Sequence, residues 1–333
     1  MFAALSWASA MVGKLDREAQ ARIADLLGRS HAVSHYSGMD CWLLVVHRMC
    51  TALGASLQIP APQVLCKKMC ECDSAAQSLL RTYRDDGEAC IFKNIDDMFD
   101  VQTNWKIGIL VPPAGSTVSD ATAAWQSVGG IMDEFFDNRF DIERKAQCVR
   151  HDRSCFLYPD YTRSDCHDKS ESAGSEQRTS GPSERTAERN IGMAFGSTTC
   201  VDFSQVGGGR GMVGRSMRQF AAWKRERLKM HALGKEALVW HECVPEFPAE
   251  TMFDDFAGTH HVVSLLVDPR LFGWPVRRIR RFTILIDKAR FNLKGEITLA
   301  SLARDYGSSC NLSADDLLMA PSEVVVERIV APP

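Results

Sequence analysis

Apolar and polar positions along the chain follow helical spacing in some stretches and short strand-like runs in others. Residues 15–28 carry leucine and isoleucine at helical intervals and end on a glycine, which predicts a first helix. An apolar run then predicts a short strand ending at Tyr36, with a tight turn at Ser37 and Gly38 and a helix over 40–53. A strand, a glycine turn and a helix form the unit that holds a nucleotide-like ligand at the amino end of the helix.

The rest of the chain continues this alternation of buried strands and amphipathic helices. Apolar runs of strand length predict further strands over 62–73, 89–95, 105–112, 191–195, 237–240, 261–267 and 282–286. Helical periodicity predicts helices over 119–136 and 215–231. Strands that alternate with helices are typical of an α/β fold with a mostly parallel sheet, and the last two strands predict a terminal antiparallel hairpin.

Composition limits the class of protein. The chain has 333 residues, 45% of them hydrophobic, and its net charge of -3 excludes a uniformly basic nucleic-acid coat. No apolar run is long enough to span a bilayer and the amino terminus lacks the basic region of a signal peptide, so we expect no membrane contact. The chain's 12 cysteines favour reduced thiols in the nucleus, or alternatively the cytoplasm. Residues 164–190 have almost no apolar side chains, which predicts a disordered loop.

The stretch over 195–220 carries the strongest candidate for chemistry. It places Cys200 after the apolar run 191–195 and before a run of glycines, so we expect the thiol to be presented to a site. The alternative is a structural cysteine, since free cysteines are among the most buried residues. Residues of the glycine loop and of the basic helix after it would suit nucleic-acid phosphates, unless they form a solvated charged face: Ser204, Arg210, Arg215 and Arg218.

Three further segments supply candidate site residues to accompany such a thiol. Glu71 ends the second predicted strand, where folds of this kind hold ribose hydroxyls. Glu242 ends a buried strand, where an unpaired carboxylate is costly, and it is therefore a candidate acid. An arginine-rich turn precedes the last strand, and period-two alternation sends Arg278 and Arg280 to the same face.

Two groups of cysteine and histidine residues could bind a metal ion by their side chains, but their spacings along the chain match no familiar metal-binding motif. Cys66, Cys70 and Cys72 lack a matching second pair, which favours incidental thiols. A second group lies near the polar loop and could form a small zinc site: Cys148, His151, Cys155, Cys166 and His167. Its spacings match no familiar zinc module, so the sequence favours residues without a metal, and we predict no metal site.

Taken in order along the chain, these motifs resemble those of the cytosine-5 DNA methyltransferases. The family's Pro-Cys-x-x-Phe-Ser motif is matched by TTCVDFS with its glycine loop, and its Glu-Asn-Val motif by HECVPEF. Its Gly-x-Pro-Gln-x-Arg-x-Arg motif is matched by FGWPVRRIRRFTIL. The resemblance covers roughly residues 34–286 in scattered blocks, and Thr199, Cys243 and Val276 replace the family's proline, asparagine and glutamine.

The resemblance implies a Rossmann-like S-adenosylmethionine-dependent methyltransferase fold and a set of site residues. It implies that Cys200 adds to carbon 6 of a flipped-out cytosine and that Glu242 is the acid at ring nitrogen 3. It also implies that Arg280 binds the 2-oxygen and that Arg278 supports the pocket. S-adenosyl-L-methionine would be bound by positions at the predicted strand ends and beside the nucleophile: Tyr36, Ser37, Gly38, Glu71, Cys72, Asn94 and Thr199.

The predicted organisation is an N-terminal helical segment over 1–30, a catalytic domain over 31–290 with an insertion at 105–190, and an extension over 291–333. No target-recognition region is evident, so a partner chain is a candidate source of target recognition. The expected activity is that of a DNA (cytosine-5-)-methyltransferase. The alternatives are cytosine methylation in tRNA, an inactive module that binds cofactor and nucleic acid, and a thiol redox enzyme, which the lack of a C-x-x-C pair at Cys200 disfavours.

Overall fold

The computed structural model describes residues 7–36, 41–82, 89–113, 115–158, 191–198, 200–205, 207–273 and 276–307. Strands in these ranges form one sheet: β1 Ser30–His35, β2 Leu65–Cys70, β3 Cys90–Phe92, β4 Lys145–Cys148, β5 Arg153–Phe156, β6 Ile191–Gly196, β7 Leu238–Cys243, β8 His260–Val267 and β9 Arg280–Asp287. Their order across the sheet is β5-β4-β3-β2-β1-β6-β7-β9-β8.

The centre of the sheet is parallel and its two edges are antiparallel. β3, β2, β1, β6 and β7 pair in parallel, while β9 runs antiparallel between β7 and β8. The parallel centre and the terminal hairpin of β8 and β9 confirm the predicted α/β class. At the opposite edge, β4 and β5 form a second antiparallel hairpin that pairs with β3 and that the sequence did not predict.

Helices cover both faces of this sheet. Their bounds are α1 Trp7–Gly13, α2 Arg17–Gly28, α3 Cys41–Leu57, α4 Ser74–Thr82, α5 Val101–Leu110, α6 Val118–Asn138, α7 Cys200–Phe203, α8 Met217–Ala232, α9 Ala249–Met252 and α10 Leu299–Tyr306. Ala32, Met193 and Leu238 of the central strands pack against α1, α2 and α3. The next residue of each strand packs on the other side, against α5, α6 and α8, because successive strand side chains point to opposite faces. The predicted helix over 215–231 is confirmed by α8.

The strand predicted over 105–112 is wrong, because α5 covers most of this segment. Asp100 caps the helix by accepting a hydrogen bond of 2.6 Å from a backbone N–H in its first turn. Ile107 is fully buried, whereas Trp105 is 64% and Ile109 62% exposed. The apolar run that suggested a strand is therefore a helix with one buried face and apolar residues on its outer face.

A network of charges is buried between the sheet and α8. Glu226 lies 2.7 Å from Lys68 Nζ, 3.0 Å from His35 Nε2 and 2.5 Å from Arg227 Nη2, and Arg227 also pairs with Glu236. No side chain in this network is more than 4% exposed. Burial alone would raise the pKa of Glu226, but the surrounding cations outweigh it and hold that pKa well below its usual range. Burial lowers the pKa of His35 to about 4.

Several expectations fall outside these ranges. The predicted disordered loop at 164–190 and most of the extension over 291–333 lie outside the described residues. The domain boundaries therefore stay a prediction. Among the helices of the described ranges, none is both long and apolar enough to cross a membrane.

Candidate functional site

Glu242 and Arg280 form an ion pair at the ends of two neighbouring strands. Glu242 is the penultimate residue of β7, and Arg280 is the first residue of β9, which runs antiparallel beside it. Arg280 Nε lies 2.9 Å from Glu242 Oε1, and 21% and 28% of the two side chains are exposed. The structure thus brings together two of the predicted site residues and leaves both accessible to a ligand.

Ser197 fixes the other side of the same carboxylate. It is the first residue after β6, and its Oγ donates a hydrogen bond of 2.5 Å to Glu242 Oε2. A hydroxyl and a guanidinium therefore hold the two oxygens of Glu242 from different strands, which fixes the orientation of the carboxyl plane. Ser197 was not among the predicted site residues, although a hydroxyl residue directly after a buried strand is a signal for such a position.

The next residue anchors the segment that leads to the predicted nucleophile. Thr198 Oγ1 lies 2.8 Å from His241 Nε2, and the Cys243 thiol donates to the Thr198 carbonyl at 3.8 Å. Thr198 and His241 are both buried, the latter among the aromatic rings of Phe220 and Phe247. Burial lowers the pKa of His241 to about 3, so the imidazole is neutral in the folded protein.

Cys200 begins α7, four residues after β6 ends. β6 lies beside β7 with Gly196 opposite His241, so the backbone that carries Cys200 leaves the sheet at the edge where Glu242 lies. The Cys200 side chain and the whole of Thr199 lie outside what the structure describes. The convergence of the thiol on Glu242 and Arg280 accordingly stays a prediction.

Asp202 ties the segment after Cys200 to the start of α8. Its side chain is 2% exposed, and its Oδ2 accepts hydrogen bonds from the backbone N–H of Ser216, at 2.8 Å, and from the Ser216 hydroxyl. Arg210 Nη2 lies 3.0 Å from Asp202 Oδ1. One buried carboxylate therefore closes the glycine loop back onto α7.

Two glycines of this loop approach α7 too closely for any side chain. A Cβ built on Gly207 would lie 1.7 Å from the Val201 carbonyl oxygen, and one on Gly214 would lie 1.9 Å from Asp202 Cγ. Both distances are far inside van der Waals contact. The glycines of this loop therefore let it pack directly against the helix that begins at Cys200.

The four predicted nucleic-acid residues have different environments. Arg210 and Arg215 are exposed, and Arg210 keeps about half of its side chain accessible while it pairs with Asp202. The Ser204 hydroxyl donates to the Val201 carbonyl at 2.9 Å and supports the turn of the loop. Arg218 is only 20% exposed and contacts Asp96 and Asn104, at 3.1 and 3.0 Å respectively. Of the four residues, Arg210 and Arg215 are the accessible cations.

The basic helix that suggested phosphate contacts pairs several of its cations with acidic side chains of the protein. Lys224 Nζ lies 2.5 Å from an Asp255 carboxylate oxygen, and Arg225 Nε lies 2.7 Å from Asp133. Arg227 belongs to the buried network described above. The sequence showed the positive charges of α8, but Asp133 and Asp255, the acidic partners of Arg225 and Lys224, come from other elements of the chain.

Three predicted cofactor residues lie side by side at the carboxyl ends of β1, β2 and β3. The Tyr36 N–H donates to the Cys70 carbonyl at 2.7 Å, and the Glu71 N–H donates to the Phe92 carbonyl at 3.0 Å. Asn94 follows two residues after Phe92 and caps the next turn. The row lies outside the carboxyl ends of parallel strands, which is where open α/β sheets bind their ligands.

Tyr36 has the most unusual backbone in this row. Its φ of 58° lies in the left-handed region, which a tyrosine adopts at some cost. Its hydroxyl is buried, and burial raises the pKa of the phenol well above its ordinary value. The Glu71 carboxylate is 7% exposed and accepts a hydrogen bond of 2.9 Å from the backbone N–H of Asp73.

The remaining predictions divide between exposed residues and undescribed ones. Cys72 is exposed, beside the row of strand ends. Arg278 is also exposed and lies before β9 begins at Arg280, so the strand alternation that predicted a shared face does not extend to it. Ser37 and Gly38 lie outside the described residues.

Comparison with known proteins shows little similarity. The sequence matches no family model and no curated protein. Among solved structures, it aligns with a proposed DNA modification methyltransferase encoded within a prophage of E. coli, with 12% identity and a TM-score of 0.35. The alignment covers 80% of this chain and 49% of the other, so the chain spans about half the length of that protein. A TM-score this low carries no argument about fold or function.

Proposed function

We propose that the chain is a cytosine-5 methyltransferase that acts on DNA with S-adenosyl-L-methionine as methyl donor. The observation that carries this proposal is the Glu242–Arg280 pair, at 2.9 Å, on the sheet edge where the segment bearing Cys200 begins. The order of the sequence motifs supports the same assignment.

The acid and the guanidinium complement one edge of cytosine. That edge presents an amino donor at position 4, an acceptor at ring nitrogen 3 and an acceptor oxygen at position 2. A carboxyl group can accept from the amino group and share a proton with nitrogen 3, while a guanidinium donates to the 2-oxygen. Glu242 and Arg280 offer these groups in adjacent positions, and Ser197 keeps the carboxyl group in one orientation.

The proposed reaction uses Cys200 as the nucleophile. Cys200 loses its thiol proton to solvent, and Glu242 takes up a proton when the base binds. The thiolate then forms a sulfur–carbon bond to carbon 6 of cytosine, the electron pair of the carbon 5–carbon 6 double bond shifts into the ring, and Glu242 passes its proton to nitrogen 3. Carbon 5 thereby becomes the nucleophilic end of an enamine. After carbon 5 has gained the methyl group it loses its proton to solvent, the sulfur–carbon bond breaks, and the proton on nitrogen 3 returns to Glu242.

The residues at the carboxyl ends of β1, β2 and β3 fit the proposed cofactor. Tyr36, Glu71 and Asn94 span two strand spacings, about 10 Å, which is long enough for a ribose and the ring beside it. The Glu71 carboxylate would accept ribose hydroxyls, and Asn94 would contact the base. S-adenosylmethionine supplies an electrophilic methyl group when it is bound. The Tyr36 backbone, held by the Cys70 carbonyl, would shape the inner wall of this pocket.

Duplex DNA is favoured as substrate by the position of the exposed cations. Arg210 and Arg215 lie on the loop that follows the proposed nucleophile, where they can reach the phosphates on either side of a flipped base. Cytosine in tRNA could bind to the same catalytic groups. The test below therefore compares DNA with RNA as substrates.

The test is covalent trapping. Duplex DNA that carries 5-fluorocytosine, with randomised flanking sequence, is incubated with the protein and S-adenosylmethionine. Fluorine cannot leave as a proton does, so the adduct on Cys200 should persist on a denaturing gel. Cys200→Ser should form no adduct, Glu242→Gln should slow its formation about a hundredfold or more, and Cys50→Ser is the matched control that should keep it.

Each other outcome has a defined meaning. An adduct with fluorinated RNA but not DNA would replace the proposal with the tRNA activity. Binding of S-adenosylmethionine without any adduct would identify an inactive module. An adduct that survives in Cys200→Ser would overturn the assignment of the nucleophile.

A further inference from the structure

Four metal-ligating side chains converge at the edge of the sheet opposite the proposed catalytic pair. The ligand atoms of Cys90, Cys148, His151 and Cys155 all lie within 4.8 Å of one another. Cys90 belongs to β3, which is four strands away from β7 in the sheet order. The cluster therefore belongs to no part of the catalytic site proposed above and does not depend on it.

The fold assembles this group from two distant parts of the chain. Cys90 is the first residue of β3, Cys148 is the last of β4, and Cys155 is the third of β5. His151 lies in the turn between β4 and β5, beside Asp152, whose φ of 48° marks a tight reversal. The hairpin turn thus folds the imidazole back over thiols from three adjacent strands.

The distances are those of a tetrahedral metal site. His151 Nδ1 lies 3.6 Å from Cys90 Sγ and 3.4 Å from both Cys148 Sγ and Cys155 Sγ. Zinc bonds of about 2.3 Å to sulfur and about 2.0 Å to nitrogen, at a tetrahedral angle, separate those two ligand atoms by roughly 3.5 Å. All three observed separations agree with this value.

We propose that Cys90, Cys148, His151 and Cys155 bind one zinc ion. Three thiolates and an imidazole are a ligand set that zinc prefers, and four protein ligands complete its coordination without an open position for substrate. The three cysteines are 6% exposed or less, so the ion would be enclosed by protein. Coordination would release the thiol protons to solvent.

The proposed ion would attach the hairpin of β4 and β5 to β3. Backbone pairing of the hairpin with β3 is short, since the register between β3 and β4 consists of Phe92 opposite Cys148. The Val149 N–H adds one bond of 2.7 Å to the Ile91 carbonyl. A zinc ion bound to Cys90 and to the hairpin would link the two by metal–ligand bonds, which are much stronger than these contacts.

The sequence predicted no metal site because the spacings of the candidate ligands match no familiar zinc module. The candidates included Cys166 and His167, which lie outside the described residues, whereas Cys90 was assigned to a strand without any other role. Cys90 replaces them as the fourth ligand, and its distance of 58 positions from Cys148 hides it from any spacing rule. The fold alone brings it into the group.

The test is the metal content of the full chain. Protein produced in zinc-supplemented medium and freed of loose metal by gel filtration should carry one zinc ion per chain by elemental analysis. Cys90→Ser and Cys148→Ser should lower the zinc content at least about tenfold, since even outer-shell changes cost this much in affinity. Cys70→Ser, which changes an equally buried cysteine of the neighbouring strand, should keep the ion.

A second variant distinguishes ligation from a folding defect. His151→Cys supplies a fourth thiolate in place of the imidazole and should retain zinc, whereas His151→Ala should lose it. Cobalt added in place of zinc should give the intense visible absorption of a tetrahedral thiolate site in the wild type. Folded wild-type protein without zinc, iron in its place, or equal loss of zinc in Cys70→Ser would overturn the proposal.

Discussion

The ammonium group of Lys68 on β2 lies 2.7 Å from the carboxylate of Glu226 on α8, with both side chains almost fully buried. His35 and Arg227 approach the same carboxylate. Desolvating so many charges costs several kcal/mol for each ion, and this cost is offset only while every partner is present. The attachment of α8 to the sheet therefore depends on Glu226 more than on any one of the cations.

Replacing Glu226 should destabilise the fold strongly. Glu226→Gln leaves Lys68 buried without its carboxylate partner and leaves Arg227 with Glu236 alone, and we expect the free energy of unfolding to fall by about 3–5 kcal/mol. The measurement is urea denaturation followed by circular dichroism. Glu246→Gln changes an exposed residue and should shift stability by less than about 0.5 kcal/mol. Equal midpoints for the two variants would show that the network contributes nothing.

Stability should fall as the pH is lowered from 6.5 towards 3. Burial lowers the pKa of His241 to about 3, so between these pH values the unfolded chain binds a proton that the folded protein does not. The free energy of unfolding should lose about 1.4 kcal/mol per pH unit from this group. His35 and His260, with pKa values lowered by burial to about 4, act in the same direction.

A comparison of variants isolates the contribution of His241 to the pH dependence of stability. His241→Phe should reduce the slope of the unfolding free energy against pH by about 1.4 kcal/mol per pH unit, whatever its effect on stability at neutral pH. His47→Gln, which replaces an exposed histidine, is the matched control substitution. Denaturation midpoints measured from pH 4 to 7 give the slopes, and identical slopes for wild type and His241→Phe would refute the prediction.

The close approach of the glycine loop to α7 can be tested with a matched pair of substitutions. Gly214→Ala places a Cβ 1.9 Å from Asp202 Cγ and should displace the loop, at a cost of about 1–3 kcal/mol in stability. Gly258→Ala meets nothing within 4 Å and should be nearly neutral. Thermal unfolding and the rate of Cys200 trapping should both separate the two variants. Wild-type trapping in Gly214→Ala would show that the loop does not position Cys200.

The parts of the fold that sequence predicts are those carried by local patterns. Glu71 and Glu242 could be placed at strand ends, because an acidic residue that closes an apolar run is visible without any neighbour. Tyr36 could be placed because the turn residues Ser37 and Gly38 follow it directly in the sequence. The α/β class follows from the alternation of such runs with helical periods.

The parts that sequence misses depend on partners far away in the chain. Arg218 looked like a surface cation because Asp96, its partner in the structure, is 122 positions distant. Ile107 and Ile109 looked like strand residues because their spacing of two does not reveal that Asp100 caps a helix before them. Cys90 gains its role only when a hairpin lies beside β3.

That hairpin also governs how the protein meets other molecules. Every residue of β3 is buried, and without β4 and β5 its backbone donors and acceptors would be open to strands of another chain. β5 instead ends the sheet with four residues that begin with an exposed arginine, Arg153, a short and charged border that offers a poor template for β-aggregation. The buried strand β3 therefore stays closed to strands of another chain only while the hairpin over 145–158 remains paired with it.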